Sequence, residues 1–539
     1  MGSRHASGDG GDSDDGTTSE RDATRLLAML IRSGQIRLIT QDRSLDFMDD
    51  DDDDDDYEPY IECKPEADKC PDTKAIDKSE LKQQMLGQAG LKHDASLPTA
   101  VSVNRLLRKR SLGRCSQGHF TPNDCAMLGA NYLPNQMEIV ARLNSKVFCG
   151  TYSKDGNVFL SACQDQYLRL YDVTKGNFQK FREIRARDVG WSIVDTAFSP
   201  DGCYLIYSSW SECIHLCNIY GDYDTHQALN LRPGDGHFCA FSVKFSSDNS
   251  EILAGANDGH LYIYDREKND RILRIDAHED DVNAVCFADD SSHIIYSGAD
   301  DGLCKVWDRR MLGDDNATPV GILAGHQDGI TYIDAKGDSR HLITNSKDQS
   351  IKLWDMRKFS SNSTIEKCRR AVATQHWDYR WQGIPRSSRS KKKTIAGDSS
   401  LMTYRGHGVL HTLIRCYFSP TFSTRQRYIY TGCGTGKIVI YDVLTGQIVS
   451  KLDEHHGAVR DVSWHPYEPK LMSTSWDGTH GLWTYKKDDY PEDEDPEDSL
   501  NESSDDETDI FKVFRRKSRR LQEQRRERER RQQRTGQGF

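Results

Sequence analysis

The chain is 539 residues long, with 84 acidic and 72 basic side chains, a formal net charge of −12, 36% hydrophobic residues and 29% charged ones. That balance fits a folded core carrying polar, unfolded segments. The charge is unevenly spread, so its total identifies no partner. No stretch approaches the roughly 18 apolar residues of a membrane span, and the 15 cysteines form neither CxxC pairs nor a disulfide framework. The expectation is an intracellular protein with reduced thiols and no membrane partner.

Residues 1–23 are rich in Gly, Ser and Asp and read as disordered. Residues 24–133 read as an N-terminal extension with short helices. In TRLLAMLIRSG, Leu26, Leu27, Leu30 and Ile31 fall at helical spacing and Ser33-Gly34 supplies a stop. So isolated an apolar stripe needs a cover, either its own domain or a partner's groove. The aspartate run from Asp49 to Asp56 repels itself and stays extended. A second helix is expected from Asp77, three residues before Glu80 in a capping-box-like arrangement, with Leu81, Met85 and Ala89 on one face. VNRLLRKRSLG is a third, basic candidate, and the pattern from there to about Leu133 is uninformative.

From Gln136 short β-type runs alternate with turns. Two successive segments, His278–Arg310 and His326–Arg357, superpose: each has a starting His, an apolar residue four positions on, an Asp six before a Trp, and a closing Trp-Asp pair. Seven such units align at Asp172, Asn218, Asp265, Asp308, Asp355, Asp442 and Thr484. Most spacings are close to the roughly 40–45 residues of WD repeats. The wide gap between Asp355 and Asp442 holds one polar insertion, about residues 358–399, and no eighth unit.

These features resemble a WD-repeat protein, which implies an all-β, seven-bladed β-propeller over residues 136–485 with short N-terminal helices and disordered tails. The resemblance implies that QMEIVARL supplies the outer strand of the last blade and closes the ring, leaving no long open edge. It also implies a hydrogen-bonded structural tetrad in each well-formed blade: His326, Ser346, Asp348 and Trp354; His455, Ser475, Asp477 and Trp483; and, for three of four members, His278, Asp301 and Trp307. Tyr171, Cys217, Tyr264 and Tyr441 stand at the Trp position elsewhere, and Thr435 replaces the turn Asp of blade six.

No phosphate-cradling Gly loop, HExxH or nucleophile elbow is present. Cys213, His215 and Cys217 share one face of a strand, but no fourth ligand accompanies them for a tetrahedral zinc site. No catalytic residue, metal or cofactor is therefore expected.

Both superposed segments end in WDxR: Trp307-Asp308-Arg309-Arg310 and Trp354-Asp355-Met356-Arg357. Residues just after the third strand emerge on one face, so Arg310 and Arg357 are expected to sit on neighbouring blades, ready for charge-assisted contacts to a partner. The bland alternative is arginines bonded to their own blades. The doublet, together with RARDVGWSI, SSWSECIHLCNIYG, GHQDGITYID and DSSLMTYRGHGVLHTLIRC, resembles WD-repeat substrate receptors of cullin-4 RING ubiquitin ligases. These are the DDB- and cullin-4-associated factors, of the WD repeat-containing protein twenty-three type. The resemblance implies adaptor contact by Arg310 and Arg357, less so Arg309, beside Asp308 and Asp355. The partners it implies are the adaptor called damage-specific DNA-binding protein one, the cullin-4 core through it, and unknown substrates. A helix through Leu27, Leu30 and Ile31 is the first candidate for an accessory anchor, and the one around Leu81 to Met85 is the second.

The insertion carries Trp377, Tyr379 and Trp381 beside a basic run. It is read either as an extension of the adaptor contact or a reach toward the ligase arm, or as a blade-edge cover with a disordered basic tip. Residues 486–539 are an acidic then basic tail. RRKSRR there is compatible with nuclear import, giving an expected nuclear and cytoplasmic location. Few aromatics are interleaved, so nucleic acid is a weak expectation. The alternative to the receptor is a chromatin or ribonucleoprotein scaffold working through these tails.

Overall fold

The computed structural model describes residues 67–88, 103–112, 120–129 and 132–487, apart from 222, 224, 235–236, 314–316 and 386–393. Leu27, Leu30, Ile31, the aspartate run and residues 488–539 of the tail lie outside the described residues.

Every residue of the strand Val158–Cys163 is buried, whereas Gln179–Arg185, in the same sheet, is mostly exposed. That contrast is how a propeller reads from within. Inner strands are sandwiched between neighbouring sheets and carry continuous Val, Ile, Leu and Tyr, while outer strands meet water. Among the described residues seven four-stranded antiparallel sheets follow one another. Six are built from consecutive strands. The seventh joins the ends of the domain: Gln136–Arg142 pairs antiparallel with Thr479–Thr484, Gln136 opposite Thr484 and Arg142 opposite Thr479. Asn135 and Lys486 clamp this seam through two bonds of 2.7 and 2.8 Å.

Three blades carry complete tetrads. In blade five His326 Nδ1 meets Asp348 at 3.0 Å, while Thr344 Oγ1 takes His326 Nε2 at 2.6 Å and the Trp354 indole at 2.8 Å. Blade seven repeats this with His455, Asp477, Ser473 and Trp483, and blade four with His278, Asp301, Ser297 and Trp307. The hydroxyl members are thus Thr344 and Ser473, correcting Ser346 and Ser475, and blade four lacks nothing. Alternation puts both hydroxyls of each strand on one face. The one ten residues before the Trp faces the indole. Ser346 and Ser475 lie at the turn, where they accept from the amides of Asp348 and Asp477 and donate to Asp328 and Gly457 carbonyls. Burial raises the Asp301, Asp348 and Asp477 carboxyls, but the histidine and the turn donors outweigh it and hold all three below the usual range. Blade six compensates for its missing Trp: His407 binds the Tyr441 hydroxyl at 3.0 Å and Asn345 of blade five at 2.9 Å.

The N-terminal segment packs on the ring. Helical turns Lys74–Asp77 and Glu80–Gln88 bury Ile76, Leu81 and Met85 among Ile351, Leu353, Tyr404, Phe418 and Tyr441 of blades five and six. The second helix begins at Glu80, and Asp77, rather than capping it, ends the first and binds Lys82 at 2.7 Å. The basic helix is found at Val103–Ser111. The helix Pro122–Gly129 has no counterpart in the sequence reading. Its start is a reciprocal capping box, with Thr121 N bonding Asp124 and Asp124 N bonding the Thr121 hydroxyl.

Thr344→Val keeps the shape but strands the His326 and Trp354 nitrogens at about 1–3 kcal/mol each. It should lower unfolding free energy by at least about 2 kcal/mol in denaturant titration. Burial also pushes the imidazoles of His278, His407 (to about 3) and His480 (to about 4) below their ordinary value. These rings are neutral in the fold but bind protons in the unfolded chain below about pH 6.5. Their stabilisation is complete above that pH and is lost as pH falls. The melting temperature should begin to drop near pH 6.5, and one that stays flat to pH 5 would contradict neutral buried rings.

Candidate functional site: the arginine rim and its opposite

Strand alternation gives each blade two rims. The turn joining second to third strand lies on one, and the connection from third to fourth on the other. Arg310 and Arg357 both follow third strands, Leu303–Asp308 and Ser350–Asp355, and so emerge on the same rim of neighbouring blades. Their side chains are 63% and 53% exposed.

Each is held by the Asp two residues before it. Asp308 caps a short 3-10 turn, accepting the Arg310 backbone N–H at 3.0 Å and its guanidinium at 2.9 and 2.7 Å. The Arg310 bonds hold the Asp308 carboxyl down at about 2. Asp355 accepts the Arg357 N–H at 3.1 Å and lies 3.6 Å from its Nε. With 1% of its side chain exposed, Asp355 is closed to any partner. Asp355 therefore aims its arginines from inside the blade, while Asp308, 13% exposed, is engaged by Arg310. The two arginines bond within the molecule and still face solvent.

Arg309 is different. It forks onto Glu251 of blade three at 3.0 and 2.6 Å, with both side chains 21% exposed. This corrects its place among the contact candidates: it ties blade four to blade three. Leu81 and Met85 are likewise removed as an accessory anchor, because both are spent on the propeller's own core. What the sequence reading missed on this rim is Arg340, which grips Asp355 at 3.1 and 2.8 Å and reaches Glu80 at 2.6 Å. Glu80 also bonds Arg357 at 3.1 Å. Around the arginines Met311, Val320 and Phe359 are exposed, and the Phe359 ring packs over Gly321.

The insertion leaves the arginine rim at Arg357 but does not remain there. Its helix Asn362–Ala373 lies along the outer strand of blade four, Cys368 bonding the His326 carbonyl and Val372 closing over Gly302. It thereby covers a four-residue edge strand, Gly321–Ala324. Trp377 then donates to Asp328 at 3.0 Å, Tyr379 lies under the Lys347 ammonium at 4.5 Å, and the Tyr379 carbonyl accepts from His411 at 2.8 Å. These partners sit in loops of the opposite rim. The aromatic end of the insertion, including Trp381 at 56% exposure, therefore faces away from Arg310 and Arg357.

Between the rims the centre is bridged by charge. Arg415, 4% exposed, binds Asp195 of blade two at 2.6 Å and Asp461 of blade seven at 3.0 Å. Arg460 reaches the Phe148 and Val194 carbonyls at 2.6 and 2.9 Å. His215 of the Cys-x-His-x-Cys strand gives its Nε2 to Asp188 at 3.0 Å and stacks on Tyr207, so this trio is part of blade packing. Among the described residues one acidic group has metal-like spacing, Asp280, Asp281 and Asp300. Lys347 already neutralises Asp300 at 2.7 Å.

The family model "WD domain, G-beta repeat" matches residues 138–172, 231–265, 269–308, 317–355 and 446–484. The chain is 41% identical over 421 residues to a DDB1- and CUL4-associated factor 11 homolog of Caenorhabditis elegans, covering 76% of this chain and 72% of that protein. A second such homolog, from Caenorhabditis briggsae, is 40% identical over 66% of each chain. A LEC14B homolog from Prunus armeniaca is 42% identical, covering 72% of this chain and 83% of its own.

Replacing Arg309 by Ala should cost about 1.5–3 kcal/mol through the lost charge-assisted bonds to Glu251. Arg310→Ala, a change at an exposed side chain, should leave the denaturation midpoint near the parent's. Paired chemical-denaturation curves separate the two.

Proposed function

Because the chain belongs to the family of DDB1- and CUL4-associated factor 11, we propose that it serves as a substrate receptor of a cullin-4 RING ubiquitin ligase, docking on the adaptor DDB1 through the rim that carries Arg310 and Arg357. The observation that carries this reading is the pair itself: two half-exposed guanidinium groups, held by matching aspartates on adjoining blades, with exposed Met311, Val320 and Phe359 around them. Arginine set in an apolar surround is the composition of interface hot spots, where desolvation strengthens each charged contact.

The protein performs no chemistry in this role. It raises the effective concentration of substrate lysines near the ligase's charged ubiquitin carrier. The adaptor takes one rim and the substrate the other, where the insertion presents Trp381.

The double variant Arg310→Glu/Arg357→Glu should lose adaptor co-purification while its melting temperature stays near the parent's, since both side chains are exposed. Truncating such contacts costs about 2–5 kcal/mol, and reversed charge adds repulsion. Undiminished adaptor binding by a folded double variant would remove the reading. Trp381→Ala, on the opposite rim, should leave adaptor co-purification unchanged and reduce ubiquitination of bound substrate. Weakened adaptor binding would return the insertion to the docking face.

A further inference from the structure

Glu80 opens a nine-residue helix whose Leu81 and Met85 are locked into the propeller core. Its own side chain is 61% exposed and touches the rim at two points, Arg340 at 2.6 Å and Arg357 at 3.1 Å. The two contacts are unequal. Arg340 is 16% exposed and also anchored on both oxygens of Asp355, so Glu80 stays bound to the rim through it. Arg357 is half exposed and is already directed by Asp355, which bonds its backbone N–H and approaches its Nε. Glu80 is therefore not needed to aim Arg357. What it does there is occupy the guanidinium edge that an incoming carboxylate would use. Among the described residues the carboxylate bonded to Arg310 is its own Asp308.

We propose that Glu80 is a built-in competitor for Arg357, a light intramolecular latch that an acidic group of the docking partner displaces. The inference rests on the docking role given above for Arg357. Displacement needs no movement of the helix. Arg357 swings off Oε2 while Glu80 remains on Arg340, and the partner's carboxylate takes the vacated edge. The latch belongs to one arginine of the pair, so it tunes the strength of docking without abolishing it. Any change that lifts residues 74–88 from blades five and six would free Arg357 of Glu80 while leaving it on Asp355.

The test measures affinity of the full chain for purified adaptor in the parent, Glu80→Gln, Arg357→Ala and the combined variant. Glutamine keeps the length and helix position of Glu80 but not its charge. Competition by an exposed ion pair predicts about two- to fivefold tighter binding for Glu80→Gln, and no gain when Arg357 is already Ala. Unchanged or weaker binding by Glu80→Gln, with Arg357→Ala still harmful, overturns the latch and leaves the docking role standing. An equal gain in both backgrounds also overturns it, since that is a diffuse charge effect. If Arg357→Ala binds like the parent, the docking role and the latch fall together.

Discussion

The ring exists because its first strand hydrogen-bonds to its last. Six sheets follow from local chain order, but the pairing of Gln136–Arg142 with Thr479–Thr484 joins segments more than 300 residues apart and removes two open edges at once. A sheet left with three strands there would expose the backbone of Thr479–Thr484, an edge open to other chains. Everything on either rim inherits its position from this seam, since blades packed face to face hold one another's angle only while the circle is closed.

Within that circle one device recurs with different outcomes. The Asp that ends a third strand turns back to accept the backbone N–H two residues on, and so sets where the next side chain points. In blade four this folds Arg310 onto Asp308 and sends Arg309 to Glu251. In blade five Asp355 is shared by Arg340 and Arg357 and is buried by them. The same local motif thus gives one rim arginine a private counter-ion and the other a shared, layered network extending to an N-terminal helix. Identity of motif did not produce identity of environment, because the neighbours differ: His293 stands near Asp308 where Arg340 stands near Asp355.

The seven units, their order and the closing strand were legible because spacing and alternation are local signals, repeated often enough to be compared. The rim position of Arg310 and Arg357 followed from the same register. Ser346 and Ser475 misled because period-two alternation leaves adjacent same-face positions equivalent, and only the indole's place across the sheet chooses between them. Arg309, Glu251 and Glu80 were illegible for a different reason: their contacts join blades or elements 58 and 277 positions apart. The Thr121–Asp124 box, by contrast, was readable and passed over. Arg415, Asp195 and Asp461 also left a trace, as charges inside short runs otherwise fit for a core, but no spacing rule connects them.

That buried triad bears on how such a receptor can be used. Desolvating a guanidinium and two carboxylates is costly, and replacing them by apolar groups of like volume is often neutral or stabilising. The triad is a weak source of stability, then, but it bridges blades two, six and seven through the middle of the ring. A partner strand threading the centre would have to break it and strand a buried charge. On the proposed role, recognition on the rim opposite Arg310 and Arg357 would be a surface event, resting on side chains that the loops and the insertion raise around the axis. The long insertion starts on one rim and delivers its aromatics to the other, which keeps the two surfaces separate: a change at exposed Trp381 leaves the arginines on the far rim undisturbed.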